Sequence, residues 1–85
     1  MEVRIPTPLR SYTGAAVVDA TGATVADVLA DLDERFPGLR FRVVDEQGRL
    51  RRHMKVFVGT ESVRDLATEV PAGEGLTLMQ ALSGG

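Results

Sequence analysis

The sequence predicts an α+β domain, a mixed sheet of about four to five strands with one main helix packed on one face. Three observations carry that reading. MEVRI alternates apolar and polar residues, with Met1, Val3 and Ile5 on one side, which is the period of a half-buried strand. TVADVLADLDERFPG repeats its apolar positions with the period of a helix. After the helix come two further strand-like runs, Lys55 to Val58 and Leu76 to Gln80.

The elements follow in order. Pro6 and Pro8 end the first strand, because proline cannot donate to a central ladder. Leu9 and Tyr12 are placed to pack, and Gly14 marks a turn into a second strand, Ala15 to Ala20, antiparallel to the first. Thr24 is a good N-cap, with Asp27 three residues on at the positive end of the helix. Val25, Val28, Leu29, Leu32 and Phe36 fall on one helical face, while Asp27, Asp31 and Glu34 fall on the other. Pro37 and Gly38 stop the helix. RFRVVDEQGRLRR reads as a short strand, a turn at Gln47-Gly48 and another short strand. KVFV is a firm strand, followed by a Gly59-Thr60 turn and a very short strand or bend at Val63. Leu66, Ala67 and Val70 form a turn packing over the end of the sheet. PAGEG is a turn, and Leu76 to Gln80 is the last strand.

One helix covers one sheet face and leaves the other open. Alternation puts Leu76, Leu78, Val56 and Val58 in the core and Phe57 and Met79 on the open face. Apolar residues gathered on an open face mark a partner surface, and methionine adapts to varied partners. Phe57 and Met79 are therefore the candidate docking residues.

Composition narrows the chemistry. The hydrophobic fraction of 44% and the charged fraction of 26% are those of a globular domain. No apolar run is long enough to span a bilayer, and the N-terminus lacks a secretory h-region, so the expected location is the cytoplasm, with no membrane partner. The absence of cysteine excludes disulfides, thiolate metal sites and a cysteine nucleophile. A net charge of -2 argues against nucleic acid as partner. Arg49, Arg51 and Arg52 form a small basic cluster, either a solvated turn or a local docking patch. His53 is the sole histidine, with no adjacent acid to make a triad, and the carboxylates around Asp27, Asp31, Asp33 and Glu34 read as a solvated helix face rather than a metal site. No catalytic residue, metal site or phosphate loop emerges, so the domain is not expected to be an enzyme.

The reactive element is the tail. Residues 1–80 are expected to fold, and Ala81, Leu82, Ser83, Gly84 and Gly85 to form a flexible C-terminal extension. Without Cβ atoms, a Gly-Gly end is slim enough to thread a narrow channel and deliver a carboxylate. A carboxylate is a poor electrophile, but adenylation with ATP supplies a leaving group that a sulfur nucleophile can replace, giving a thiocarboxylate.

The strand–strand–helix–strands order, the TVADVLADLDERFPG helix, the VPAGEGLTLMQAL turn and strand and the terminal SGG together resemble the ubiquitin-like sulfur carriers of the MoaD/ThiS family. DEQGRLRRHMKVFVGTESVR looks most like the CysO-type carriers. The resemblance spans the chain and implies the β-grasp fold. It also implies activation by an E1-like adenylyltransferase of the MoeB/ThiF type, which uses the ATP; the carrier itself binds no cofactor. Further implied partners are a persulfide donor such as a rhodanese or cysteine desulfurase, and a sulfur-accepting synthase. Carried over by position, Gly85 bears the sulfur, Gly84 is its slim neighbour, and Met79 matches an apolar contact for the activating enzyme. The acceptor stays open among cysteine, molybdopterin, thiazole, a thiolated nucleoside and a sulfur-containing natural product. Two other readings are a protein modifier conjugated through Gly85 to target lysines, and a non-covalent interaction domain.

Overall fold

The computed structural model describes residues 1–81. The elements are β1 (Glu2–Arg4), a 3-10 turn (Thr7–Leu9), α1 (Arg10–Thr13), β2 (Val17–Asp19), α2 (Val25–Arg35), α3 (Leu39–Val43), β3 (Met54–Val58), β4 (Glu61–Val63) and β5 (Leu76–Gln80). The sheet has five strands in the order β2-β1-β5-β3-β4. Among the described residues only the β1–β5 pair is parallel, so the sheet is mixed, as expected. The last described strand, β5, lies at the centre of the sheet.

The first hairpin is longer than its strands. Ile5 N–H donates to Ala16 C=O and Ala20 N–H to Met1 C=O, carrying the ladder over most of the two expected runs. Between them the chain does more than turn. Proline near its start favours the 3-10 turn, which buries Leu9, and α1 ends on Gly14 at φ 70, a left-handed value that favours glycine.

Helix α2 begins where its cap predicts, with Thr24 Oγ1 accepting from Asp27 N–H at 3.2 Å. Two more first-turn donors find acceptors in the 66–70 turn: Val25 N–H meets Thr68 C=O and Ala26 N–H meets Leu66 C=O. That turn therefore docks on the helix start, with Val70 buried, Leu66 half-buried and Ala67 exposed. Gly22 permits the approach to α2, since a Cβ there would lie 2.6 Å from Val28 N. The helix buries Val25, Val28, Leu29 and Leu32, and full burial of each such side chain stabilises by about 1.5–3 kcal/mol. Phe36 packs half-buried at the edge.

Two expectations are corrected. The start of the Leu39–Arg52 stretch is a helix, not a strand. Leu39 and Val43, four apart, are both fully buried while Phe41 between them is exposed, whereas a strand would turn all three to one face. Gly38 at φ 95 makes the turn, and Asp33 Oδ1 accepts from both Gly38 N–H and Arg40 N–H at 3.1 Å. The Gln47-Gly48 turn is present, but its flanks meet only in the single bridge Val44–Leu50. The second correction concerns Val58, which is half-buried against the core rather than enclosed by it. Val56, Leu76 and Leu78 are core as expected.

Candidate functional site

The register of β3 on β5 defines the site. Val58, Phe57, Val56, Lys55 and Met54 lie opposite Leu76, Thr77, Leu78, Met79 and Gln80 in turn. Opposed residues share a face. Leu76, Leu78, Val56 and Met54 therefore point at the helices and are buried, whereas Thr77, Met79, Lys55 and Phe57 point away. One row of the open face runs Val17, Arg4, Thr77, Phe57, Ser62 across all five strands.

Met79 is 47% exposed and Val17 39%. Phe57 is on the face expected of it but only half-buried, in a sheet row between Thr77 and Ser62 rather than projecting alone. Met79 stands opposite the exposed Lys55, so its apolar surface is bordered by a cation. The open face is thus a mixed surface with apolar points at Val17, Phe57 and Met79.

At the end of β5 the chain stays on the sheet for one residue more. Ala81 is exposed, yet its N–H donates to His53 C=O at 2.7 Å. The expected tail residues Leu82, Ser83, Gly84 and Gly85 lie outside the described residues. The segment before β3 that supplies this carbonyl is itself tied down: Arg64 donates from its guanidinium to Leu50, Arg51 and Met54 carbonyls at 3.2–3.3 Å.

A small cleft of about 170 Å³ lies beside this exit, lined by Phe41, Arg42, Arg51, His53 and Gln80. Phe41 is 56% exposed. The Arg51 guanidinium lies over its ring at 4.6 Å from the centroid, and Arg51 Nε donates to Phe41 C=O at 2.7 Å. Reading residues 40–44 as a strand hid Phe41 from the sequence analysis. The signal that could have found this cleft was the Arg49-Arg51-Arg52 cluster beside His53.

Other polar features are structural. Asp31 is held below the usual carboxylate range by the Thr21 N–H it accepts and by Arg35. Asp45 is lowered by the N–H groups of Arg49 and Gln47, with Arg51 and Arg49 adding attraction. Among the described residues no group of three metal-ligating side chains gathers, and no helix is long and apolar enough to cross a membrane. A cavity of about 570 Å³ is lined by Met1, Gly22, Val70 and Gly75 among others, at the opposite end of β5 from Ala81.

Comparison with known proteins agrees with this geometry. The sulfur carrier protein CysO of Mycobacterium tuberculosis is 37% identical over 89 residues, covering 98% of this chain and 96% of the relative. The crystal structure of the Amycolatopsis orientalis BexX/CysO complex contains a chain with TM-score 0.90 and 41% identity, covering 99% of this chain and 98% of that one. Small archaeal modifier protein 1 of Haloferax volcanii matches with TM-score 0.77 and 30% identity, over 96% and 97% of the two chains. The mixed sheet with its main helix is accordingly the ubiquitin-like fold that the resemblance implies. The ThiS family model matches residues 3–85. Sheet order, register and near-full-length similarity converge, and the chain belongs to the ThiS family of sulfur carriers.

Proposed function

We propose that this carrier works through Gly85. Its carboxylate attacks the α-phosphate of ATP on an E1-like adenylyltransferase, releasing pyrophosphate and forming an acyl-adenylate. The terminal sulfur of a persulfide donor, a rhodanese or cysteine desulfurase, then displaces AMP. A second thiol cleaves the resulting acyl disulfide, leaving the thiocarboxylate on Gly85 and a disulfide on the donor. Gly84 lets the tail pass the enzyme's channel, and Leu82 and Ser83 give it reach. Met79 and Phe57 dock the open face on the activating enzyme. The chain contributes no catalytic group of its own and binds no cofactor; the ATP belongs to its partner.

The observation that carries this reading is the position of β5. The strand preceding the tail is central in the sheet, turns Met79 outward, and is followed by Ala81 still fixed to His53. The tail is thus presented from a rigid base beside an exposed apolar contact. Similarity to a CysO seen in complex with BexX supports a sulfur-accepting synthase as the downstream partner. The purified protein, incubated with ATP, its adenylyltransferase and a persulfide source, is expected to gain the mass difference between sulfur and oxygen. Deletion of Gly85 is expected to abolish the gain. An unchanged mass with an active enzyme refutes the proposal.

Similarity to small archaeal modifier protein 1 favours a second role, conjugation through Gly85 to target lysines. Cells would then contain a ladder of conjugates that disappears when Gly84 and Gly85 are deleted.

A further inference from the structure

The cleft at the tail exit has a position and a chemistry of its own. Gln80, one of its walls, lies opposite the buried Met54 and so shares the helix-side face of the sheet. Met79 is on the other face. The chain therefore leaves β5 between two different surfaces, an apolar point on one side and the Phe41–Arg51 cleft on the other. Among the described residues no acidic side chain lines the cleft, although Asp45 lies near enough to be attracted by Arg51 and the protein as a whole carries a net charge of -2. Arg42, Arg51 and His53 supply nitrogen donors, and Phe41 leaves over half its surface in water.

Arg51 is set in place before any partner arrives. Its Nε is committed to Phe41 C=O and its plane lies over the Phe41 ring, so the direction of the remaining guanidinium edge is fixed. Among the described residues its terminal nitrogens make no hydrogen bond. An arginine held this way loses little freedom on binding and offers two parallel donors, the geometry that suits a carboxylate. A space of about 170 Å³ has room for one acidic side chain but not for a larger ligand.

We propose that this cleft is a second contact surface for the sulfur-accepting partner that takes up the loaded tail, and that it takes an aspartate or glutamate side chain from the rim of that partner's channel. The inference rests on the sulfur-carrier reading above. It adds that the exit is gripped on both sides, by an apolar contact at Met79 and by a carboxylate at Arg51.

BexX is the probe, because a protein 41% identical to this chain is found in complex with it. Its Kd for the full chain is measured by calorimetry at low and at high salt, alongside sulfur loading of the same samples. Arg51→Glu is expected to raise Kd about tenfold or more and to flatten the salt dependence, as loss of a charged interface pair does. Phe41→Ala is expected to raise Kd several-fold, because Arg51 loses its support. Met79→Ala is expected to weaken binding while leaving the salt dependence as in the wild type. If Arg51→Glu fails to fold, Arg42→Glu makes the same charge test. A wild type that loads sulfur but binds BexX no better than Arg51→Glu overturns the cleft alone; one that neither loads nor binds overturns both readings. Binding of a single-stranded RNA oligonucleotide that is lost in Arg51→Glu reassigns the cleft and also overturns the proposal.

Discussion

Leu78 and Met79 are adjacent in β5 and should fail in opposite ways when truncated. Leu78 is 2% exposed and packs in the core, so Leu78→Ala removes buried atoms and leaves a cavity. Such changes cost about 2–5 kcal/mol. A domain of this size loses about 4–8 °C of transition temperature per kcal/mol, so a cost near 3 kcal/mol lowers Tm by about 12–24 °C. Met79 is 47% exposed, so folding removes only half of its side chain from water. Half of a full burial term is about 1 kcal/mol, and Met79→Ala should lower Tm by no more than about 4–8 °C. Function should rank the two the other way. At a temperature where both variants are folded, Leu78→Ala loads sulfur like the wild type, whereas Met79→Ala loses about tenfold in kcat/KM with the activating enzyme, as a contact worth about 1.4 kcal/mol would. Calorimetry gives the first quantity and mass spectrometry of the loaded carrier the second. Equal losses of Tm would refute the face assignment. Wild-type loading by Met79→Ala would refute the docking role while leaving the fold intact.

Three further outcomes follow from local geometry. Thr24→Ala removes the acceptor for Asp27 N–H and should lower the unfolding free energy by about 1 kcal/mol in urea titration, with an unchanged m-value. Asp31 and Asp45 have carboxyls lowered in the folded state, so each adds stability that is present above the unfolded carboxylate range and lost as pH falls through the lower folded values. Asp31→Asn should therefore flatten the loss of urea midpoint below about pH 4, and an unaltered slope would mean the Thr21 and Arg35 contacts do not persist in solution. Arg64→Ala should loosen residues 50–54 and, through His53 C=O, speed hydrogen exchange at Ala81 N–H while leaving Val56 N–H protected. Equal exchange at Ala81 in both proteins would show that β3 alone holds the exit.

The parts legible in the sequence are those governed by local rules. Helix α2 carries its cap and its apolar period within one stretch, and the faces of β3 and β5 follow from alternation alone once one helix is seen to cover one side. Helix α3 was not legible because RFRVV satisfies both periods over so short a span. What decides it is tertiary: Asp33, on another helix, accepts two N–H groups at its start, and the core receives Leu39 and Val43 while leaving Phe41 between them in water. The same error concealed the exit cleft. Phe41, Arg51 and Gln80 are far apart in the chain and meet only because α3, the 50–54 segment and β5 end at one corner. Phe57 was placed on the correct face, but its partial burial depends on strand neighbours that alternation does not identify.

The central position of β5 also bears on mechanical load. A partner that draws the tail into a channel pulls along the strand axis. Parallel β1 on one side and antiparallel β3 on the other would then resist in shear, with several ladder bonds strained at once. An edge strand pulled away sideways would instead open one bond at a time. The carrier can thus be tugged at its end without that force peeling the sheet apart.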